Sequence, residues 1–304
     1  MEKKWSVYFQ NPDFIELTRM TMALPEYRPL IRKWCGIRDG AEVLDVGCGT
    51  GYFARLLASG DEDVSVTGID RDDIFIDYAR KKSSEEGLDI DYLQGDALQL
   101  PFEDSSFDVV GSHTFLTSMP DPKGAFAEMK RVVRPGGIIA SVTAMSFYPP
   151  GISLGNYPEE CDAWKKDLDV LFMKLTRAYM KIDPITERAT GIAPPAIPHF
   201  FAEEGMEQVS AYPVGHMSSV SNAAMSDEDK LRWIELYRDS EIKKLDAFME
   251  LPEMNVMFSH EEADRYRELL DQKCDFLRSD LTENSIWDWR GSANLLVTGR
   301  KPAE

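Results

Sequence analysis

Residues 43–51 read VLDVGCGTG, and this stretch decides the fold class. The apolar run Ala41–Val46 stops at the first glycine, which is typical of a short buried strand. Three glycines then alternate along the loop, and a residue without a Cβ atom lets the chain turn tightly and lets a ligand lie against the backbone. Residues Tyr52–Ser59 follow as a helical segment. The pattern predicts a strand, a ligand-binding glycine loop and a helix.

The spacing of these glycines separates two classes of ligand. Nicotinamide-binding proteins use the spacing GxGxxG at the same strand-to-helix turn. Here the spacing is GxGxG, and Asp45 lies two positions before the first glycine. A carboxylate beside the loop disfavours a pyrophosphate but favours a cationic ligand, such as one with sulfonium and ammonium groups. A nicotinamide-dependent dehydrogenase is therefore the less favoured interpretation.

Strands and helices alternate over residues 41–145. After the first strand, short apolar runs predict four more strands: Val64–Ile69, Ile90–Gln94, Phe107–Ser112 and Ile138–Thr143. Helices are predicted between them over Ile74–Glu86 and Pro122–Val133. Such alternation is typical of a parallel sheet with helices on both faces. Two further strands are predicted at Glu207–Val214 and Asn294–Thr298.

The glycine loop resembles the first motif of class I S-adenosylmethionine-dependent methyltransferases. Later stretches resemble the family's other motifs in the same order: Asp70 at the end of the second strand, Gln94–Ala97, Leu100–Phe102 with Phe107–Val110, and Arg131–Gly137. The resemblance covers roughly residues 41–145. It implies an α/β fold with a doubly wound, mostly parallel seven-stranded sheet, whose last strand is antiparallel. It also implies S-adenosyl-L-methionine as the cofactor.

The resemblance assigns cofactor contacts to particular positions. In the family, the acid at Asp70 accepts both ribose hydroxyls, and the acid at Asp96 accepts from the adenine amino group, while the backbone of Ala97 faces the ring. The expected cofactor-binding residues are Asp45, Gly47, Cys48, Gly49, Gly51, Asp70, Arg71, Asp96, Ala97, Ser112 and His113. Structural alternatives remain, because Asp45 and the glycines suit a tight turn, Asp70 suits a helix N-cap and Asp96 suits a turn.

His113 is the candidate catalytic residue. It follows the fourth strand, where ligands bind in open α/β sheets, and an unperturbed pKa near about 6.5 suits proton removal at neutral pH. The alternative is that His113 packs, or contacts the methionine end of the cofactor. The sequence shows no paired-histidine or HExxH pattern, so no metal is expected.

Helical segments flank and interrupt the predicted sheet. The predicted organisation is N-terminal helices over residues 1–40, the cofactor-binding core over 41–145, a helical insertion over 146–196, a core helix and the sixth strand over 197–215, a second helical insertion over 216–290, and the last strand and tail over 291–304. The sixth and seventh strands normally form a hairpin in the family, whereas here an insertion far longer than a hairpin loop separates them. Both insertions are interpreted as caps over a substrate.

Composition restricts the partners. The net charge is −19, and an acidic surface repels phosphate backbones, so nucleic acid is not an expected substrate. No apolar run approaches the length of about 20 residues that a membrane span needs. The four cysteines are far apart in the chain and are expected to be free thiols. We therefore expect a cytoplasmic protein without membrane partners, as a monomer or a homodimer.

The predicted function is methyl transfer from S-adenosylmethionine to a small-molecule acceptor with an oxygen, nitrogen or carbon nucleophile. The sulfonium methyl group is already activated, so the protein mainly holds the acceptor in line with it. Two alternatives stay open at this point. One is a protein methyltransferase, and the other is a protein that binds S-adenosylmethionine on the same fold without transferring a methyl group.

Overall fold

The computed structural model describes most of the chain. The described residues are 11–22, 27–145, 156–182, 192–214, 218–219, 225–281, 283, 286, 289–290 and 293–303. Within them the contacts divide the chain into two units. A sheet unit contains residues 18–145, 186–216 and 292–304, and a helical unit contains residues 1–17, 146–185 and 217–291.

A seven-stranded sheet forms the centre of the sheet unit. Its strands are β1 Ala41–Val46, β2 Val64–Asp70, β3 Ile90–Gln94, β4 Phe107–His113, β5 Val133–Met145, β6 Glu207–Val214 and β9 Ala293–Arg300. They lie in the order β3-β2-β1-β4-β5-β9-β6. Strand β9 is antiparallel to both of its neighbours, and the other pairs are parallel. The predicted fold class is therefore confirmed. A separate pair, β7 Ser218–Ser219 and β8 Trp289–Arg290, completes the described strands.

Strand β5 is longer than the predicted Ile138–Thr143, because the turn before it lies inside the strand. Val133 pairs with Phe107, and Ile138 pairs with Val109. Residues 134–137 therefore stand opposite a single residue of β4 and bulge out of the sheet. Gly136 has φ +73 within this bulge. The glycine turn that the sequence predicted is present, but it interrupts the strand rather than preceding it.

Helices pack on both faces of the sheet. In the sheet unit they are α2 Arg28–Trp34, α3 Tyr52–Ala58, α4 Asp73–Glu85, α5 Pro122–Val132 and α7 Ile197–Glu203, and α1 Pro12–Met22 precedes them in the chain. Local capping explains two of the starts. The side chain of Asp72 accepts from the N–H of Ile74, and the side chain of Asp121 accepts from the N–H of Gly124. Both are N-cap interactions that satisfy otherwise unpaired helix donors.

Two apolar layers cover the two faces. On the first face, α2, α3 and α4 bury residues such as Ile31, Phe53 and Ile76 against the sheet. On the second face, α5 and α7 bury Phe126 and Phe201. Because both faces are covered, the central strands are apolar almost throughout, as parallel sheets usually are. Polar side chains that are buried on these strands, such as Asp45 and Ser112, therefore need an explanation.

The helical unit has an apolar core of its own. Its main helices are α6 Asp162–Ile182, α8 Asp227–Met249, α9 Met254–Met257 and α10 His260–Ser279. Helix α10 begins with a complete capping box between Ser259 and Glu262. Trp164, Phe248 and Tyr266 are among the side chains buried in this core. Segments from both predicted insertions thus pack into one cluster. Their role as caps stays a prediction.

Among the described residues, no helix combines the length and apolarity needed to cross a bilayer. All four cysteines are buried and free, as expected.

Phe126 gives a test of the second apolar layer. It is fully buried, and its ring lies 5.0 Å from that of Phe200 and 4.9 Å from that of Phe201. Phe126→Ala is expected to lower the free energy of unfolding by about 3–5 kcal/mol, because it leaves a cavity between α5 and α7. Urea denaturation measures the change. The exposed Ile74→Ala is the control, with an expected loss under about 1 kcal/mol; equal losses in both variants would contradict this packing.

Candidate cofactor site

The glycine loop turns at the carboxyl end of β1, and its glycines serve different purposes. Gly47, Gly49 and Gly51 all have positive φ angles, of +68, +52 and +76. A Cβ atom on Gly51 would lie 2.4 Å from the hydroxyl of Tyr92 and 2.8 Å from the side chain of Ala79. A Cβ atom on Gly49 would meet nothing within 4 Å. Gly51 is thus required by packing, whereas Gly49 leaves its backbone open to a ligand.

Asp70 ties the glycine loop to the end of β2. Its Oδ2 accepts from the N–H of Gly49 at 2.9 Å, and its Oδ1 accepts from the N–H of Asp72 at 2.9 Å. Its backbone carbonyl accepts from the N–H of Gly95, so the loop after β3 joins the same network. Burial raises the pKa of Asp70, and these backbone donors lower it in part. Asp70 as a whole residue is partly exposed, and it lies beside the glycine loop.

Asp45 is a completely buried carboxyl group behind the loop. Neither of its oxygens makes a hydrogen bond of normal geometry with a described residue. Burial raises the pKa of Asp45 well above its usual range, the backbone N–H of Ala54 lowers it by less, and Asp70 raises it further. An unpaired buried carboxylate is costly. It is an expected feature where a cationic ligand group compensates for it, so Asp45 fits an ammonium or sulfonium ligand.

The residues after β3 lie beside Asp70. Asp96 is exposed, and its Oδ1 accepts from the N–H of Leu98 at 2.9 Å, so the turn role foreseen for it is present. Gln94 donates from its side chain to the carbonyl of Arg71 at 3.0 Å, which joins the loops after β2 and β3. The Arg71 side chain itself is exposed. Ala97 is partly buried against the second apolar layer.

Two other residues that were predicted to bind the cofactor, Cys48 and Ser112, are buried against neighbouring strands. Cys48 is buried, and its sulfur is one of the nearest atoms to the Cβ position of Gly68 in β2. Ser112 is fully buried, and its hydroxyl donates to that of Ser141 at 3.3 Å within the sheet. The structure therefore brings Asp45, the glycine loop, Asp70 and Asp96 together at the carboxyl ends of β1, β2 and β3. Their contacts with a cofactor remain predictions.

His113 ends strand β4 and faces the first apolar layer. Its ring lies 6.1 Å from that of Phe53, at an angle of 35°. Burial lowers the pKa of His113 well below its usual range, and the positive charge of Arg19 lowers it further. The imidazole is therefore neutral at neutral pH and can donate or accept a hydrogen bond. A strongly lowered pKa makes it a weak base, which favours a hydrogen-bonding role over proton removal from a weak acid.

Two polar residues near His113 were not identified from the sequence. Asn294, at the start of β9, is buried with an amide that lacks a hydrogen-bond partner among the described residues. Thr114 follows His113 with φ +51, a rare conformation for a β-branched residue. Its hydroxyl accepts from Arg19 at 2.7 Å. A single sequence carries no signal for any of these contacts, because they join segments far apart in the chain.

This geometry defines a class: an open α/β sheet with a glycine loop and acids at the carboxyl ends of β1, β2 and β3, arranged for a nucleoside ligand with a cationic group. Residues 44–141 match the family model for the methyltransferase domain. For the domain of residues 44–141, this match confirms the resemblance to class I S-adenosylmethionine-dependent methyltransferases, and with it the type of enzyme and the cofactor that the sequence predicted.

Curated relatives match part of the chain. A sterol 24-C-methyltransferase from Aspergillus fumigatus is 32% identical over 139 residues, which are 45% of this chain and 37% of the relative. A demethylmenaquinone methyltransferase from Staphylococcus aureus is 37% identical over 114 residues, which are 37% of this chain and 47% of the relative. The matched region thus spans less than half of each relative. The family-model match over residues 44–141 contains the glycine loop and lies within the sheet unit.

A solved structure from Bacillus halodurans shows the same fold. It is 18% identical, covers 91% of this chain and 99% of its own, and gives a TM-score of 0.50. At this identity the likeness concerns the fold alone.

The contrast between Gly49 and Gly51 gives a prediction for ligand binding. Gly49→Ala is expected to weaken binding of S-adenosylhomocysteine at least tenfold, because the methyl group occupies the open side of the loop. Its cost in stability should be about 1–2 kcal/mol, from the left-handed backbone. Gly51→Ala should cost more, since it adds a clash of about 1–3 kcal/mol with Tyr92 and Ala79. Calorimetric titration and urea denaturation measure the two effects; tight binding by Gly49→Ala would contradict the open-loop interpretation.

Asp45 gives a prediction about pH. Because the pKa of Asp45 is raised in the folded state, its ionisation favours the unfolded state, and stability is lost as pH rises above the usual carboxyl pKa of about 4. Asp45→Asn should therefore be more stable than the natural protein at neutral pH, and the difference should vanish in acid. It should also bind S-adenosylhomocysteine more weakly. Denaturation across pH checks this, with the exposed Asp91→Asn as control. A variant less stable at neutral pH would refute it.

Proposed function

We propose that the protein transfers the methyl group of S-adenosylmethionine to a small-molecule acceptor. One observation carries the proposal: the glycine loop of the matched domain is held by Asp70 with the backbone of Gly49 left open, and the buried carboxyl group of Asp45 lies behind it. The relatives named above are methyltransferases of a sterol and of demethylmenaquinone. Both acceptors are small molecules, which supports the same class of acceptor here.

The chain's residues would divide the work of binding. Asp70 and Asp96 would accept hydrogen bonds from the ribose and the adenine amino group, and Asp45 would compensate positive charge beside the glycine loop. When bound there, S-adenosylmethionine supplies a methyl group that its sulfonium already activates. The protein then needs chiefly to orient a nucleophile, which agrees with a site rich in binding groups and poor in strong bases.

His113 would serve this reaction as a neutral group. Its lowered pKa keeps the imidazole uncharged beside a positively charged sulfonium, so it does not repel the cofactor. It can accept a hydrogen bond from a hydroxyl or amine of the acceptor. Proton removal by His113 remains the catalytic hypothesis for an acidic acceptor. The nature of the attacking atom stays open between oxygen, nitrogen and carbon.

The first experiment measures cofactor binding and turnover together. Calorimetric titration of S-adenosylmethionine and S-adenosylhomocysteine is expected to show binding that weakens tenfold to a hundredfold in Asp70→Ala, because charge-assisted hydrogen bonds contribute about 1.5–3 kcal/mol. The matched control is Asp91→Ala, an exposed acid on the neighbouring strand. Turnover is then followed as transfer of a radioactive methyl group to sterol and quinol acceptors.

The outcomes separate the alternatives. Labelled small-molecule product with release of S-adenosylhomocysteine supports the proposal. Label found only in protein would favour a protein methyltransferase, and tight cofactor binding without turnover of any acceptor would favour a binding protein. Absence of binding to both cofactor forms would overturn the assignment of the site.

A further inference from the structure

A small pocket lies on the first face of the sheet, within the sheet unit. Most of its lining residues are apolar, and three have polar or charged side chains. The lining residues are Arg19, Ile31, Tyr52, Phe53, Leu56, His113, Val142, Val214 and Asn294. The cavity measures about 10 Å³, close to the space of one water molecule. It therefore suits one polar end group of a ligand rather than a whole molecule.

Asn294 is the unusual member of this pocket. It is 1% exposed, and neither its amide nitrogen nor its amide oxygen has a hydrogen-bond partner among the described residues. Asn294 pairs with Ala144 of β5 and Val214 of β6, so a residue of any type could hold this backbone position. Burying an unsatisfied amide costs about 1–3 kcal/mol. Such a cost is expected where the amide serves a ligand.

Arg19 supplies a positive charge to the lining of the same pocket. Its guanidinium donates to the hydroxyl of Thr114 at 2.7 Å. Thr114 holds a left-handed backbone with φ +51, and its N–H donates to the carbonyl of Val142 at 2.7 Å. A strained backbone of this kind costs roughly 1–3 kcal/mol, and it concentrates at functional sites. The strained residue therefore fixes the position of the cation.

His113 is the third polar residue of the lining, and it adds no charge. Its pKa is lowered by burial and by Arg19, so the imidazole stays neutral beside the guanidinium. The pocket thus offers one positive charge, one amide donor and one neutral imidazole, above walls of aliphatic and aromatic side chains. A negatively charged oxygen group on an apolar body matches this set, because it pairs with Arg19 and satisfies the Asn294 amide.

We infer that this pocket binds the anionic oxygen group, such as a carboxylate, of an apolar methyl acceptor. The inference rests on the proposed methyl transfer and names its class of acceptor. The position of the pocket supports it. Gly49, Asp70 and Asp96 lie on the β1–β3 side of the sheet, whereas Asn294 lies on β9, three strands beyond β1. Neighbouring strands are about 4.8 Å apart, so Asn294 lies about 14 Å along the sheet from β1, whereas Tyr52 and Phe53 of the same lining directly follow the glycine loop.

The test compares three probes with the same alkyl body: octanoate, octan-1-ol and octylammonium. Each is titrated calorimetrically into the protein at neutral pH, with and without S-adenosylhomocysteine. Octanoate is expected to bind at least tenfold more tightly than the other two. Asn294→Leu and Arg19→Gln should each weaken octanoate at least tenfold, while the affinity for S-adenosylhomocysteine changes by less than about threefold, since hydrogen bonds to a charged group contribute about 1.5–3 kcal/mol.

Thermal stability separates binding from a structural role. Without ligand, Asn294→Leu should melt at the same temperature as the natural protein or higher, because it removes an unsatisfied amide. If leucine is too large to fold there, Asn294→Ala replaces it in the titrations. Thr298→Val is the matched control. It lies on the same strand, is also buried, and should leave octanoate binding unchanged.

Two results would overturn the inference. One is octanoate binding no tighter than the alcohol, or binding that both variants leave unchanged. The other is a loss of S-adenosylhomocysteine affinity in the variants with octanoate affinity intact, which would place the cofactor's own carboxylate in the pocket. Failure of the proposed function has a different signature, because the cofactor then binds to no variant while the probe titrations can still show an anion site.

Discussion

The bond between the Asp70 carboxylate and the N–H of Gly49 is the constraint on which the site depends. It holds the glycine loop against the end of the neighbouring strand, at 2.9 Å. The other carboxyl oxygen caps the turn that leads to α4, so one side chain fixes both segments. From behind, Arg55 donates to the carbonyl of Thr50 at 2.7 Å and holds the second half of the loop. A ligand therefore meets a backbone that is already ordered, which reduces the entropy lost on binding.

At the carboxyl ends of the parallel strands, several groups destabilise the folded state. Asp45 and Asn294 are buried without adequate partners among the described residues, and Thr114 holds a backbone conformation that its branched side chain disfavours. Several charged groups elsewhere in the sheet unit are paired. Arg131, for example, donates to Glu128, Asp104 and two backbone carbonyls. The contrast supports the proposal that the unsatisfied groups at the carboxyl ends of the strands serve ligands, since proteins retain such costs mainly where function requires them.

The sequence was sufficient for the sheet, the family and the cofactor, because these depend on local patterns. An apolar run followed by alternating glycines identifies a strand and a loop without reference to distant residues. The bulge at residues 134–137 was predicted as a turn, but its place inside β5 depends on pairing with β4. The lowered pKa of His113 could not be foreseen either, because it arises from burial under α3 and from Arg19, 94 positions earlier in the chain.

The orientation of Asn294 shows why that part of the site lies beyond sequence patterns. Side chains alternate between the two faces of a strand, so a shift of one residue in the pairing of β9 with β5 would turn Asn294 to the opposite face. The observed register pairs Asn294 with Ala144, and it pairs Val142 with Leu296 on one side and His113 on the other. These pairings place Asn294 and His113 on the same face, two strands apart. An antiparallel strand that returns after a long insertion therefore supplies a residue to the pocket, and only its register decides which one.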